Sequence, residues 1–444
     1  MNLRQQVARA LALHIAPGAT VCLGLSGGMD SMVLLDIMAK LAPGKGWRLR
    51  ALHVNHQLSE HAAAWASFCG RECRARKVPL SVVKVTVARG NSTEAAARAA
   101  RYAAFRATGA DHLVLAHHQD DQVETLLLRL LRGAGAKGLA AMAPARRESG
   151  AARMGVLRPL LATPRARIED YATRHVLHWV TDDSNADTRY LRNHLRLKVL
   201  PQIERLVPAY RDTLTRAAAN LAESAELLDD LARIDAGGEL VDGVLPFTAL
   251  TSLTPARRAN LLRFFLHERG VSMPDRRVLE DILRQLHAPR PDSRMSIEIG
   301  QYLLRAYSGC LHVVPNRPLP PKGYTQQWRG ERELALPALG GLLRMTRRRG
   351  AGIALACLKE YAVEVRTRAG GERLQLDARR PRRRVKDLLQ EYGVPPWQRE
   401  CLPFLWCGGK LAWVAGLGVD MPFQAPPGKA GVLPQWVLPD DEAH

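Results

Sequence analysis

The chain has 444 residues, more than one ordinary core accommodates, so two or three domains are expected. Hydrophobic residues make up 47% and charged residues 24%, a balance that excludes a disordered chain. Lys and Arg number 64 against 43 Asp and Glu, a formal net charge of +21 that favours approach to a polyanion and points to nucleic acid, although a basic solvated surface has the same composition.

No run of about 18 apolar residues occurs, which argues against a membrane span. At the amino end, Leu3, Val7 and Leu11 keep helical spacing while Arg4 and Arg9 interrupt it, so a secretory leader is not expected and a cytoplasmic location is. Seven cysteines without C-x-x-C suggest neither a disulfide framework nor an ordinary zinc pair. Cys69 and Cys73 read as packing on one helical face.

Along the chain, the runs VCLGL (21–25), LRALHV (49–54), LSVVKV (80–85) and HLVLA (112–116) are short and apolar. Between them lie segments of 3.6-residue periodicity, such as Val33, Leu34, Ile37, Met38 and Leu41. That alternation predicts an α/β domain over residues 1–205, a Rossmann-like parallel sheet with helices on both faces. Residues 206–314 are mainly helical in pattern, with strand-like runs from Met295 to Val314. PNRPLPPKG (315–323) opens a Pro-rich linker expected over 315–335. Short strands and Gly/Pro turns over 336–440 predict a small α+β carboxyl-terminal domain.

The stretch Ser26-Gly27-Gly28-Met29-Asp30-Ser31 joins the first strand to a helix. Its glycines let backbone approach a ligand closely, and the helix start offers unpaired N–H groups, so the stretch reads as a phosphate cradle. A plain strand-to-helix turn uses the same residue types, and the chain contains no G-x-x-x-x-G-K-[ST]. In an open α/β sheet, ligands sit beyond the carboxyl ends of the strands. His53, Asn55 and His56 end the second strand, and His117 and His118 end the fourth, so the three stretches are expected to line one crevice. Asp120, Asp121 and Glu124 then cluster in the first turn of a helix whose buried face is Val123, Leu126, Leu127, Leu130 and Leu131. Carboxylates favour a helix start on electrostatic grounds alone. A His/Asp zinc site is a further reading, while Mg²⁺ on a nucleotide accounts for the carboxylates without a dedicated cage.

Asp182, Asp183, Ser184, Asn185 and Asp187 form an Asx-rich turn and helix cap. Arg189, Arg192 and Arg196 follow at three- and four-residue steps as a basic stripe, either a solvated face or an RNA contact. The same two readings apply to the densest basic run, Arg379-Arg380-Pro381-Arg382-Arg383-Arg384.

Ser26 to Ser31 resembles the pyrophosphate loop of the N-type ATP pyrophosphatases, the PP-loop superfamily. HVNHQL, AHHQDDQVETLLLRLLRGAG, RPLL (158–161), WVTDDSNADTRYLRNHLR (179–196) and, in the third domain, RAGGERLQLDARRPRRRVKDLLQEYGVPPWQRECLPFLW make the chain similar to one branch, the tRNA(Ile)-lysidine synthases. Ser59 departs from the pattern, since many members carry a basic residue there. The resemblance implies that ATP adenylates the C2 carbonyl oxygen of the wobble cytidine in the CAU anticodon of an isoleucine tRNA. The ε-amine of free lysine then displaces AMP, which switches codon reading from AUG to AUA and charging from Met to Ile. It also implies ATP and Mg²⁺, with Ser26, Gly27, Gly28, Met29, Asp30 and Ser31 on the nucleotide beside His53 and His56, and Asp30 on the metal. Asp30, Asp121 and Glu124 become the catalytic residues, the last two receiving the lysine cation. Arg189, Arg192, Arg196, Arg380, Arg382 and Arg383 are assigned to tRNA, and a homodimer is admitted because members are often dimeric.

Three other readings compete. An ATP-dependent tRNA thiolase of the same superfamily usually relies on paired cysteines or a cluster held by C-x-x-C, which this chain lacks. A glutamine-dependent synthetase would need a glutaminase, commonly with cysteine at residue 2, where this chain has Asn2. A catalytically silent RNA-binding module would leave the acidic and phosphate-binding motifs idle.

Overall fold

Each of the four apolar runs becomes a strand, and the helical segments between them return the chain so that the strands lie parallel. The computed structural model describes residues 1–57, 61–85, 93–147, 154–181, 187–238, 240, 243–286 and 295–438. Ser59 and the Asx-rich residues Asp182 to Asn185 lie outside the described residues. The chain divides into two compact units, Met1–Leu231 and Ala232–His444.

The first unit runs α1 (Leu3–Ala12), β1 (Thr20–Gly24), α2 (Met29–Lys45), β2 (Arg48–Asn55), α3 (Ala62–Ala75), β3 (Leu80–Lys84), α4 (Thr93–Arg106), β4 (His112–Val114) and α5 (Gln119–Leu130). There follow α6 (Ala136–Leu139), β5 (Ala145–Arg147), β6 (Gly155–Leu157), α7 (Arg165–Arg174), α8 (Leu191–His194), a π-helical turn at Leu195–Val199, α9 (Leu200–Leu206) and α10 (Tyr210–Asp235). The strand order is β3-β2-β1-β4-β6-β5, parallel throughout except for β5, which runs antiparallel to β6. The polar three-residue strand β5 and its partner β6 carry too little apolar pattern to be expected from sequence.

Pleating sends alternate side chains of β1 to opposite faces. Val21 and Leu23 enter a core with α1, α2 and α7, while Cys22 joins Leu52, Tyr102, Phe105 and Leu113 on the other face. Helices therefore cover both faces, and α2 is buried nearly all round, through Met32, Val33, Leu34, Leu35, Ile37 and Met38. Its one buried charge, Asp36, is satisfied by Lys40 at 2.6 Å and the Tyr171 hydroxyl at 2.8 Å. Cys69 and Cys73 both face this core, and burial pushes their thiols up to about 12 and about 11. β1 pairs with β2 on one side and β4 on the other, so the strand order reverses at β1/β4 and opens a crevice at their carboxyl ends.

The first compact unit continues past residue 205. Tyr210, Leu214 and Ala218 of α10 pack on Val123, Leu126 and Leu127 of α5, whereas Leu130 and Leu131, expected on the same buried face, are exposed at the helix end. In the second unit, helices Pro255–Glu268 and Arg276–Leu286 share a core with a four-stranded sheet built from Leu245–Pro246, Cys310–Pro315, Tyr302–Tyr307 and Ser296–Ile299. The stretch expected as a linker contains a strand, Thr325–Trp328, which pairs antiparallel with Val363–Arg366 at the edge of a five-stranded sheet. A second sheet centres on Gly341–Arg349 paired with Ala430–Val437. Buried Arg399 donates to Val394 O at 2.7 Å and to the Tyr307 hydroxyl at 3.1 Å, tying the carboxyl-terminal sheets to the strand Tyr302–Tyr307.

Candidate active site

The loop after β1 is held open by its own hydroxyls. Ser31 Oγ accepts from the Gly27 N–H at 3.1 Å and donates to Gly28 O at 2.9 Å, and Ser26 Oγ accepts from the Gly28 N–H at 3.3 Å. Gly27 has φ +91°, and a Cβ there would stand 2.9 Å from Val180 Cγ2 and 3.1 Å from Cys69 Sγ, so both conformation and space require glycine. Gly28 caps α2, and Asp30 stands in the first turn.

Gly24, Ser26, Asp30 and Ser31 line a cavity of about 160 Å³ with Arg98, Arg101, Tyr102 and His117. Arg98 and Arg101, three apart on α4, belong to none of the motifs above; their spacing in AAARAARYAAF is the signal the sequence offers. His53 is not in that lining. Its Nδ1 lies 2.9 Å from Leu25 O and its ring is buried, so it supports the loop from behind, and burial lowers its pKa. His56, also expected on the nucleotide, is outside that lining too and half-buried, with Arg101 and His53 near enough to add to the lowering of its pKa by burial.

The start of α5 brings the second group of residues to the same crevice. The His118 N–H donates to Asp121 Oδ2 at 3.0 Å. The His118 ring places Nε2 3.5 Å from Asp121 Oδ2 and 3.7 Å from Asp30 Oδ2, and Nδ1 3.6 Å from Asp120 Oδ2. Burial opposes charge on this ring, but the carboxylates of Asp120, Asp121 and Asp30 outweigh it and raise its pKa. Burial pushes Asp30 up, with His118 and Arg165 pulling the other way and the Asp121 charge adding to the rise. Asp120 and Asp121 are held low despite burial, Asp120 by His118 and Arg211, Asp121 by His118 and Arg192. His117 is lowered to about 4, chiefly by burial.

Glu124 is fully buried. Arg196 Nε donates to its Oε1 at 2.6 Å, and Arg192 Nε and Arg196 Nη2 donate to its Oε2 at 2.7 and 3.0 Å. Arg192 Nη2 also donates to Asp121 Oδ1 at 3.2 Å. The expected RNA-facing stripe therefore divides. Arg192 and Arg196 turn inward to satisfy buried carboxylates, and only Arg189, paired with Asp187 at 2.7 Å, stays on the surface. Arg211, which lies outside the motifs above, bridges Asp120 at 2.7 Å and Glu204 at 2.6 Å. Asp120, Glu124 and Glu204 line a second cavity of about 170 Å³ with Arg165, Arg196 and Arg211. Among the described residues no group of three or more His, Cys, Asp or Glu has the spacing to hold a metal ion.

In the second unit the basic run stays at the surface and divides only by partner. Arg382, itself exposed, pairs with buried Asp420, and Arg383 pairs with exposed Glu391 at 2.7 Å, while Arg379, Arg380 and Arg384 are exposed.

Residues 2–203 match the family model of the PP-loop domain, and the sheet, the loop and the switch-point crevice define an ATP-using PP-loop enzyme. Residues 245–312 match the TilS substrate binding domain, and residues 363–436 the TilS substrate C-terminal domain. Over 428 residues the chain is 43% identical to a tRNA(Ile)-lysidine synthase of Nitrosomonas europaea, spanning 96% of this chain and 93% of that one. Over 439 residues it is 44% identical to a tRNA(Ile)-lysidine synthase of Azoarcus sp., spanning 97% and 94%. The chain belongs to the tRNA(Ile)-lysidine synthase family, ATP-dependent ligases that form lysidine at the wobble cytidine of tRNA(Ile). The thiolase reading is thereby set aside. Among the described residues no helix is long and apolar enough to cross a membrane.

Proposed function

We propose that residues 1–205 carry both halves of the ligation, with Ser26 to Ser31 on the triphosphate and Asp30, Asp121 and Glu124 as the catalytic carboxylates. The observation that carries this reading is that His118 Nε2 lies 3.7 Å from Asp30 and 3.5 Å from Asp121, which joins the phosphate loop and the acidic helix start in one crevice. Asp30 Oδ1 is buried without a hydrogen-bond partner. An orphaned carboxylate oxygen at a phosphate loop suits Mg²⁺, which takes one or two carboxylates together with phosphate oxygens. Bound there, Mg²⁺ would draw charge from the phosphate oxygens as pyrophosphate departs.

The chain's own groups account for the remainder. With the Gly27 and Gly28 N–H groups engaged by Ser31 and Ser26, N–H groups of the first turn of α2 hold phosphate oxygens where charge develops. The C2 oxygen of the wobble cytidine attacks the α-phosphorus, the bond to the bridging α–β oxygen breaks, and pyrophosphate leaves. The ε-amine of lysine then adds at C2, and AMP departs with the former carbonyl oxygen. Asp121 and Glu124 hold the lysine cation, and a carboxylate takes the proton that the amine sheds before attack. Arg189, Arg380, Arg382 and Arg383 are the assigned arginines that keep the most surface for tRNA phosphates, and residues 336–440 grip tRNA without contributing chemistry.

The test supplies purified protein with ATP, Mg²⁺, labelled lysine and a CAU-anticodon tRNA(Ile) transcript, then locates the label. Label at the wobble base is expected; its absence overturns the reading. Asp30→Ala should slow pyrophosphate release by about 10²–10³-fold with tRNA binding retained. Asp121→Asn should depress lysine transfer more than pyrophosphate release. Pyrophosphate release at full rate in Asp30→Ala would remove Asp30 from the first step.

A further inference from the structure

A loop that receives an anion must aim N–H groups at it and turn its carbonyl oxygens away, since those oxygens repel phosphate. The carbonyls around Gly27 are each engaged within the protein. His53 Nδ1 lies 2.9 Å from Leu25 O, and Gly28 O accepts from Ser31 Oγ at 2.9 Å and from the Met32 N–H at 3.0 Å. Gly27 O accepts from the Val180 N–H at 3.0 Å, a donor that comes from the segment after α7, far along the chain. The C=O and N–H of a trans peptide point in opposite directions, so anchoring Gly27 O fixes the plane of the Gly27–Gly28 peptide. Gly28 is the N-cap of α2, and that plane therefore sets how the first-turn N–H groups face the cavity. The Val180 side chain closes the same contact, because a Cβ on Gly27 would stand 2.9 Å from its Cγ2.

Resting on the reading that Ser26 to Ser31 hold the triphosphate, we infer that Val180 is a positioning residue for ATP. Its N–H orients the Gly27–Gly28 peptide, and its Cγ2 fills the space that a side chain at residue 27 would need. Val180 is outside the lining of the loop cavity, so it acts through the loop and not on the nucleotide.

The way residues 177–180 reach the loop supports this role. Helix α7 ends with the Val176 N–H on Thr173 O at 3.1 Å and the Leu177 N–H on Ala172 O at 2.9 Å, the hydrogen bonds of a Schellman turn. Such a turn places one residue in the left-handed region and usually puts glycine there. Here the residue is Val176, at φ +49°, where a β-branched side chain is an outlier. Its side chain is 76% exposed, so no packing of its own compensates. Strain of this kind persists where the surroundings over-determine it. Those surroundings are Leu177, buried in one core with Leu25, Met29 and Cys69, and Val180, bonded to Gly27. The strained turn thus delivers the segment to the underside of the phosphate loop.

The test is steady-state kinetics of the full chain with CAU-anticodon transcript, ATP and lysine, together with urea unfolding of each variant. Val180→Pro removes the N–H and should raise the KM for ATP about three- to tenfold, the worth of one hydrogen bond, with the KM for lysine unchanged. A merely structural role would lower kcat through loss of folded protein and leave both KM values alone. Gly27→Ala should raise the KM for ATP about tenfold or more. Val180→Ala keeps the N–H and loses Cγ2, so by itself it should raise that KM only about twofold, yet in the Gly27→Ala background it makes room for the new Cβ and should recover about threefold or more. An unchanged KM for ATP in Val180→Pro, or a double variant no better than Gly27→Ala, overturns the role of Val180. Either arm decides alone: the Gly27/Val180 cycle where Val180→Pro does not fold, and Val180→Pro where Gly27→Ala does not. If Gly27→Ala folds and leaves the KM for ATP unchanged, the loop is not the seat of the triphosphate and the underlying reading fails. If Gly27→Ala weakens ATP and Val180→Ala gives no relief, the seat stands and the positioning role does not.

Discussion

In the amino-terminal unit Arg192, Arg196 and Arg211 end on carboxylates that are largely out of water, whereas in the carboxyl-terminal unit Arg379, Arg380 and Arg384 are exposed. As sequence the two sets look alike, basic residues at short spacing beside scattered acids. Their physics differs because burial decides how much of a charge reaches solvent. The first set neutralises Asp120, Asp121 and Glu124 and helps hold Asp120 and Asp121 ionised. The second leaves its charge facing solvent. The formal charge of +21 is therefore unevenly available.

The comparison breaks most readily at Glu124. Glu124→Ala strands two guanidiniums that were paired with a buried carboxylate; breaking such a pair costs about 3–5 kcal/mol. Both arginines retain a route to water, so a loss at the lower end, about 3 kcal/mol, is expected in urea unfolding. A change below about 0.5 kcal/mol, the range of ordinary surface substitutions, would show that the knot is a surface pair in disguise.

A smaller effect sharpens the same contrast from inside the exposed run. Arg382 faces Asp420, which is 1% exposed and also accepts from the Gln375 N–H at 2.7 Å. Arg382→Ala removes one partner and leaves the other, so a loss of about 1–3 kcal/mol is expected. Arg380→Ala, two residues away and exposed, should be nearly neutral. Equal losses for the two would mean that burial does not sort this run as described.

What could be read in advance follows the range of the forces involved. VCLGL and HLVLA announce strands because a buried parallel strand needs only a local apolar run, and Ser26 to Ser31 announces a phosphate loop because Gly27 and the helix start are local as well. The direction in which Arg192 and Arg196 point is not local. Their partner Glu124 lies 68 and 72 residues away, and only the packing of α9 and α10 on α5 brings the segment to it. The hydrogen bond of His53 is non-local in the same way, since Leu25 O, 28 residues off, lies 2.9 Å from its Nδ1. At Thr325–Trp328 composition suggested a linker, yet a free strand edge at Val363–Arg366 supplies the hydrogen bonds that the local sequence does not.

The smallest expected change in stability goes with the clearest change in binding. Cutting the chain near residue 335 would be a poor way to ask whether the arginine run holds tRNA. It would strip Thr325–Trp328 of its partner strand and remove Trp397 and Arg399 from their contacts with Tyr307. Replacing Arg379, Arg380 and Arg384 by alanine in the full chain leaves those contacts and the Arg382 and Arg383 pairs in place. Unfolding free energy should shift by no more than about 0.5 kcal/mol per site. Each phosphate contact contributes about 0.7–0.9 to the slope of log affinity against log salt, so three lost contacts should flatten the slope for tRNA by about 2–3. ATP binding should be unchanged, because Ser26 to Ser31 belong to the other compact unit. A slope identical to that of the unaltered chain would show that the exposed arginines are solvated and that tRNA is gripped elsewhere. A flattened slope accompanied by loss of folding stability would show that these arginines, like Arg382, are part of the fold.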